Sequence, residues 1–480
     1  MSGIFGIVSK KNCTGDLYRG TDYNSHKGQA FGGIAVLGKH PITHELDAQF
    51  KSKFKEILIE YAGAKSGIGV ISADERQPLE VYSNFGKFSI CMDGRIFNIE
   101  EITSDLLSKG ASITQLCSNN EEIQANPIAL AGKIIAEEKG IISGIERLFD
   151  MVEGSISVLL LNEKGIYAAR TKYGQSPLIV GKKQDSLAVT GEPCAFKNLG
   201  YHSVRELEPG EIVLLTENGL IEKNQPNNQS QICSFLWVYT GNPASTYERE
   251  NVEIVRERCG RAIARRDMTD NIKIDFVSGV PDSGIAHAIG YSNETQLPFR
   301  RPLIKYTDGY GRSYIALTQK EKNKVAELKL IPIDEIIKGA SFVVMEDSMV
   351  RGTQLKNNTL TKLWDAGAKA IHLRTGCPPI LFPCKYNISI RDLDELAARK
   401  AIKKLTGKFE PDNIEQFTKW NSAEYRAMVE MIRTEELRDK SHDYPCVTSL
   451  RFQRLEDMVE AIGLPKERLC TYCFDGKGVE

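Results

Sequence analysis

Midway along the chain the hydrophobic pattern changes period, and that change limits the fold more than any other feature. Up to about residue 225, short apolar runs are broken by turn residues: IFGIV from Ile4, GGIAVL from Gly32, GIGVIS from Gly67, GKFSICMDG from Gly86, SISVLLL from Ser155. IYAAR, PLIVG and SLAVTG continue the series. EIVLLTENGLIEK (Glu211–Lys223) reads as a hairpin turning at Glu217-Asn218-Gly219. Helical periodicity shows at Ile128–Glu138. This half predicts an α+β layer built from hairpins. From residue 240 to 390 apolar runs alternate with helical segments: IKIDFVSG then SGIAHAIGY, SFVVM then TQLKNNTLTKLWDAGA, then AIHLRTG. Such alternation predicts a parallel α/β sheet. Residues 391–465 read as helical and highly charged. The polar stretch Lys223–Gln231 is the linker candidate.

Three parts follow: 1–228, 229–400 and 401–480. A chain of 480 residues accommodates them. Lys and Arg total 62 and Asp and Glu 63, so no global field draws the protein to nucleic acid or an anionic membrane. No apolar run approaches the roughly 18–20 residues that would span a bilayer. MSGIFGIVSKK does not read as a signal peptide, so the cytoplasm is expected. The 11 cysteines are odd in number and too sparse for a disulfide scaffold.

The segment Ser341–Leu355, SFVVMEDSMVRGTQL, carries the most chemistry. An apolar strand ends in two adjacent carboxylates, Glu346 and Asp347, and a small-residue turn leads into a helix. In open α/β sheets ligands sit at the carboxyl ends of strands. A turn entering a helix directs N–H groups at an anion. Carboxylates there can hold sugar hydroxyls or a ligand-borne Mg²⁺. The arrangement suits a phosphorylated sugar, although an acidic strand end before an ordinary helix cap has the same outline.

EDSMVRGT resembles the phosphoribosylpyrophosphate (PRPP) loop of type I phosphoribosyltransferases, in the form found in glutamine PRPP amidotransferases. Glu346 stands where that family has Asp. Further segments resemble the family in the same order. FVSGVPDSG (Phe276–Gly284) is similar to its pyrophosphate loop. YGRSYIALTQ (Tyr310–Gln319) is similar to its flexible loop, and Lys329 follows in ELKLIPI. GCPPILFPCKYNISI (Gly376–Ile390) and LEDMVEAIGLPKERLCTYC (Leu455–Cys473) complete the series. Residues 409–443 resemble the family least.

The resemblance implies a four-layer αββα N-terminal-nucleophile, glutaminase-like domain. A type I phosphoribosyltransferase domain with a parallel sheet and a helical C-terminal tail would follow. It implies that Glu346 and Asp347 hold the ribose hydroxyls and Mg²⁺, and that Ser283 touches the metal with Asp282 beside it. Ser348, Met349, Val350, Arg351, Gly352 and Thr353 would cradle the 5′-phosphate. Arg312 and Lys329 would neutralise pyrophosphate, and Tyr310–Tyr314 would close over the site. It also implies a [4Fe–4S] cluster on Cys233, Cys384, Cys470 and Cys473, with Zn²⁺ as the competing occupant. The remaining cysteines read as buried thiols: Cys13, Cys91, Cys117, Cys194, Cys259, Cys377 and Cys446.

The glutaminase half departs from its family. There a terminal Cys attacks the amide with its own α-amino group as base; here Ser2 holds the nucleophile position. The family's substrate-gripping Arg aligns with Ser72, and Val70 replaces its His. The oxyanion Asn-Gly becomes Asp93-Gly94. The Asp that holds the substrate's amino group aligns with Asn119, and HRGQ becomes His26-Lys27-Gly28-Gln29. Five changes in one pocket predict an inactive glutaminase, so ammonia from solution, or from a separate glutaminase partner, would be the nitrogen donor. A different amide substrate for Ser2 is the competing reading. The expected reaction gives 5-phosphoribosylamine and pyrophosphate, the first step of purine nucleotide synthesis in the family. Purine nucleotides are expected inhibitors, and a homo-oligomer is expected. A changed amine acceptor, or a non-catalytic PRPP- or nucleotide-sensing protein, are the alternatives.

Overall fold

The computed structural model describes residues 2–28, 30–46, 49–110, 116–119, 122–227, 229–270, 272–306, 329–386, 392–438 and 446–478. The chain forms two compact units. One comprises 1–233 with 245–248 and 385–389, and the other 234–244, 249–384 and 390–480.

The first unit contains two antiparallel sheets. Strands β1 (Ser2–Ser9), β2 (Phe31–Val36), β3 (Ile42–Glu45) and β4 (Ser66–Ser72) belong to one, as do β9 (Ile179–Lys183), β10 (Ser186–Thr190) and β11 (His202–Glu206); their order is β11-β9-β10-β1-β4-β2-β3. The other takes β5 (Leu79–Ser83), β6 (Gly86–Ile96), β7 (Gly154–Asn162), β8 (Gly165–Ala169), β12 (Ile212–Thr216) and β13 (Gly219–Glu222), in the order β13-β12-β8-β7-β6-β5. Side-chain alternation explains the stacking. On β6, Cys91 faces the other sheet's Ile4, Ile68 and Val70. Its neighbours Ile90 and Met92 face Ile128, Ile134, Ile145 and Leu148 of helices α2 (Pro127–Glu137) and α3 (Ile141–Met151). Helix α1 (Thr14–Asp22) covers the opposite side, where Gly20 lies so close to Phe5 that a Cβ would strike its ring at 2.4 Å. The result is the expected αββα layering. The predicted hairpin pairs Thr216 with Gly219. The linker candidate is pinned to its own unit, since Asn227 N–H donates to Pro209 O and Gln231 N–H to Tyr173 O, both at 2.7 Å.

The second unit carries a parallel sheet in the order β14 (Phe276–Gly279), β15 (Ser341–Glu346), β16 (Ala370–Thr375), β17 (Ser449–Phe452). Both faces are covered, as parallel sheets require. Val343 and Met345 of β15 pack with Ile263, Ala264 and Tyr291 from helices α4 (Val252–Asp267) and α5 (Ile285–Thr295). Phe342 and Val344 point the other way, into a core shared with Ala401 of α6 (Ala397–Thr406) and Met428 of α7 (Ala423–Met431). Residues 391–465 are largely helical, as expected, but β17 lies within them and supplies the fourth strand. SLRF is too short to register against the charged helical pattern around it. Among the described residues no helix is long and apolar enough to cross a membrane.

Asp267, at the end of α4, ties this unit together. Both its oxygens are engaged: Arg374 of β16 and Arg451 of β17 donate to it, and so does the Tyr291 hydroxyl at 2.8 Å. Asp267 and Arg374 are each 1 % exposed. Removing one member of a buried ion network leaves charge uncompensated. Asp267→Ala is therefore expected to cost about 3–5 kcal/mol in equilibrium denaturation, with Asp267→Asn milder; a loss near zero would contradict the network's role.

Candidate functional site

Strand β15 runs buried from Phe342 to Met345 and delivers Glu346 and Asp347 to its carboxyl end. The loop after β14 is pulled against that end. Gly279 abuts Gly284, where a Cβ would meet a backbone oxygen at 2.4 Å, and Gly284 abuts Met345 O, at 2.2 Å. Val280 N–H donates to Met345 O at 2.9 Å. These contacts place Ser283 beside the acids, its hydroxyl 3.4 Å from Glu346 Oε1. Asp282 points elsewhere, pairing with Lys305 at 2.5 Å.

Burial first, and Asp347 second, push the Glu346 carboxyl well above its ordinary range; burial pushes Asp347 up as well. Asp347 Oδ1 accepts the Ser348 hydroxyl at 2.8 Å, whereas Oδ2 is buried without a hydrogen-bond partner. An unsatisfied buried carboxylate oxygen beside a second carboxylate fits a divalent cation. Among the described residues no three His, Cys, Asp or Glu side chains group to hold a metal. Two carboxylates suit Mg²⁺ arriving with substrate phosphates, since Mg²⁺ rarely sits in an all-protein cage.

Beyond Asp347 the turn is anchored from below. Met349 is buried in the core, Val350 O accepts Ala397 N–H at 2.8 Å, and Gly352 turns at φ +72°. Helical backbone begins at Thr353 and runs to Asp365 through a wide turn at Lys356–Leu360. The Arg351 guanidinium pairs with Glu395. Lys329 is half-buried, with its carbonyl accepting Tyr306 N–H at 2.7 Å. Arg312 and Tyr310–Tyr314 lie outside the described residues.

The pocket around Ser2 is in the first unit and is closed by polar contacts. Ser2 is 4 % exposed. Its nitrogen donates to Asp93 Oδ1 at 2.8 Å, and its hydroxyl lies 3.3 Å from the Ser72 hydroxyl. Ser72 donates to Glu75 Oε2 at 3.1 Å and accepts Glu75 N–H at 3.1 Å. Burial raises both Asp93 and Glu75; Lys27 opposes the rise at Asp93, and Asp74 adds to it at Glu75. Gln77 bridges Ser2 Oγ, at 3.1 Å, and both backbone polar groups of Met92. Gly94 is demanded by the backbone itself, with φ +124° and Ser155 O only 1.8 Å from a hypothetical Cβ. Lys27 and His26 reach the buried Glu192, at 3.3 and 2.8 Å. Burial alone would raise that carboxyl, but the two bases outweigh it and hold it down to about 2. Asn119 lies on a strand whose side chains are outside the described residues. Gln77, Glu75 and Glu192 were missed by sequence reasoning, since no spacing links them to Ser2.

Three of the four cluster candidates are in the second unit. Cys470 precedes and Cys473 lies within the short helix Tyr472–Asp475, and Cys473 O accepts N–H bonds from Leu381 and Phe382 at 2.9 and 3.1 Å. That contact brings the CxxC to the segment ending in Cys384. Cys233 ends the strand Ile232–Cys233 in the first unit. The other cysteines are buried as expected, except that Cys194 is half-buried and the Cys117 side chain is outside the described residues.

One stability prediction follows from the acid pair. Glu346 and Asp347 bind protons more readily in the fold than in the open chain, so stability falls as pH rises through their raised pKa values. Glu346→Gln is expected to raise the thermal midpoint of the ligand-free protein at neutral pH and to flatten its decline with pH. A lower midpoint would refute the assigned strain.

Residues 65–198 match the family described as "Glutamine amidotransferase domain". The amidophosphoribosyltransferase of Methanocaldococcus jannaschii is 30% identical over 99% of this chain and 97% of its own, and that of Bacillus subtilis is 29% identical over 82% and 83%. The solved glutamine PRPP amidotransferase from B. subtilis, complexed with ADP and GMP, superposes with a TM-score of 0.80 at 27% identity, covering 99% of this chain and 96% of that one. By these near full-length matches, the chain belongs to the amidophosphoribosyltransferase family of pentosyltransferases.

Proposed function

We propose that this protein converts PRPP and ammonia to 5-phosphoribosylamine and pyrophosphate, and that it does not draw the ammonia from glutamine. The observation that carries the first part is the unsatisfied Asp347 Oδ2 beside Glu346 at the end of β15. Asp347 and Glu346 orient the ribose hydroxyls, with Ser283 at their side. The turn from Ser348 to Thr353 receives the 5′-phosphate. Ammonia nitrogen attacks C1 from the face opposite the leaving group, the C1–O bond breaks with its electrons going to pyrophosphate, and the new amine sheds a proton. Mg²⁺ carried by the substrate would draw charge from the leaving pyrophosphate. The transition state has oxocarbenium character, so orientation and electrostatics carry the rate rather than a nucleophilic side chain. Arg312 and Lys329 are assigned to the pyrophosphate.

Two carboxylates support the second part. A glutamine substrate needs a cation for its carboxylate and a donor for its oxyanion. At the first position Ser72 is bonded to Glu75; at the second stands Asp93. Loss of one oxyanion donor alone typically costs about 10²–10³ in rate. The match of residues 65–198 to a glutamine amidotransferase domain spans Ser72 and Asp93 but not Ser2, and glutamine use is the reading it favours against this proposal.

The test is product analysis by mass spectrometry with PRPP, Mg²⁺ and a panel of amines. Ammonium salt is expected to release pyrophosphate, faster in alkaline buffer where more ammonia is unprotonated, while glutamine gives only background. Asp347→Ala should lower the ammonium-dependent rate by about 10²–10³, and Ser2→Ala should leave it unchanged. Glutamine turnover by the purified protein would sink the second part, and no turnover of any amine would sink the first.

We further propose that Cys233, Cys384, Cys470 and Cys473 hold a [4Fe–4S] cluster, the Cys473 contact to the Leu381–Phe382 backbone being the supporting observation. Four thiolates are the donor set such a cluster takes. Anaerobically purified protein is expected to be brown and to contain iron; a colourless preparation with stoichiometric zinc would defeat the assignment.

A further inference from the structure

The second unit contains a cavity of about 510 Å³, within the range of small-molecule sites and apart from the acid pair. It is assembled from four separated stretches of chain: Pro378–Phe382, Ile414–Tyr425, Gln453–Glu456 and Lys466–Lys477. The second of these belongs to the region that resembles the family least. Part of its wall is aromatic and aliphatic, from Leu381, Phe382, Phe417, Trp420 and Phe474, and a comparable share is polar or charged. Gly476 lets the tail close one side, since a Cβ there would meet the Phe382 ring at 2.7 Å.

Three features define what would bind. Trp420 is 37 % exposed although it lies 5.2 Å from Tyr425 and has the Arg266 guanidinium over its ring at 4.7 Å. The Tyr425 side chain also lines the cavity, and its buried hydroxyl has no hydrogen-bond partner. The charged rim is not neutral once its internal pairs are set aside. Lys466 is 3.2 Å from Asp475, and Arg454 lies within 3.7 Å of Glu456. Lys419 and Lys477, neither in an ion pair among the described residues, then face Glu415 alone.

We propose that this cavity binds a planar aromatic anion no larger than a nucleotide, its ring stacked on Trp420 and its anionic group at the Lys419–Lys477 rim. A flat ring fits walls of this composition, and stacking tolerates any ring with a π-face. A single excess positive charge suits one anionic group. The site is independent of PRPP chemistry, because none of its lining residues belongs to the acid pair, the pyrophosphate loop or the phosphate turn.

Calorimetry and tryptophan fluorescence on the full chain, with and without saturating Mg²⁺ and PRPP, test this. The probes are AMP, GMP and anthranilate, with adenosine and inorganic phosphate as controls. At least one aromatic anion is expected to bind and to quench fluorescence whether or not PRPP is present, with both controls weaker. Trp420→Ala should weaken binding about fivefold to over a hundredfold, the range of base–aromatic stacking. Lys419→Glu, on the exposed rim, should weaken it too and decides the matter if Trp420→Ala fails to fold. Neither change should alter ammonium-dependent turnover. Nucleotide binding against anthranilate binding identifies the source of the anion. The proposal fails if no aromatic anion binds, if PRPP displaces the bound one, or if affinity survives both substitutions.

Discussion

Two adjacent carboxylates at the buried end of one strand are the constraint on which the second unit is organised. A carboxylate taken out of water disfavours its charge, and a second one beside it disfavours it further. The fold accepts this at Glu346 and Asp347 and gives little relief: a 3.1 Å bond from Asp347 N–H, the neighbouring hydroxyls of Ser283 and Ser348, and one oxygen left bare. Stability elsewhere must carry that cost. It comes from a sheet covered on both faces and from the Asp267 network, which fixes β16 and β17 beside β15. Nearby, the buried thiol of Cys377 is raised above its ordinary range by burial and then by Asp347, which makes it inert as a nucleophile.

The glycines at 279 and 284 show how closely the site is drawn. Each touches backbone where any side chain would collide. Without them the loop carrying Ser283 would stand off from β15, and the acids would face bulk water. Their pKa values would then relax toward ordinary ones, and the strain that a cation can relieve would be lost. Tight approach and charge strain thus share one structural cause.

The acid pair was legible because strand, acids, turn and helix lie in one uninterrupted stretch of sequence. The strands of the first unit were legible because each is a short apolar run bounded by turn residues, as in β6 and β7. What escaped notice was non-local. Gln77 and Ser2 are 75 positions apart, and His26 and Glu192 are 166 apart. No periodicity joins them; only the stacking of sheets and loops does. Strand β17 escaped because four residues carry too little pattern. The cavity at Trp420 draws on four segments, each unremarkable by itself.

The Ser2 pocket shows why the proposed loss of glutamine use would be hard to reverse by one change. In N-terminal-nucleophile chemistry the α-nitrogen must keep a free lone pair to act as base. Here that nitrogen donates to Asp93, and a carboxylate so placed would hold a terminal amine in its protonated, non-basic form as well as repel an oxyanion. Converting Asp93 to an amide would ease both faults but leave Glu75 bonded to Ser72, where a substrate carboxylate would need a cation. Replacing Ser72 by arginine would place a guanidinium against Glu75 in a site with no exposure at residue 72, which has room for it only if Glu75 moves. The substitutions act through shared neighbours, so their effects cannot add independently. A pocket whose parts are bonded to one another in this way is stable as it stands, so the domain would stay well packed under the proposed loss of its family's reaction.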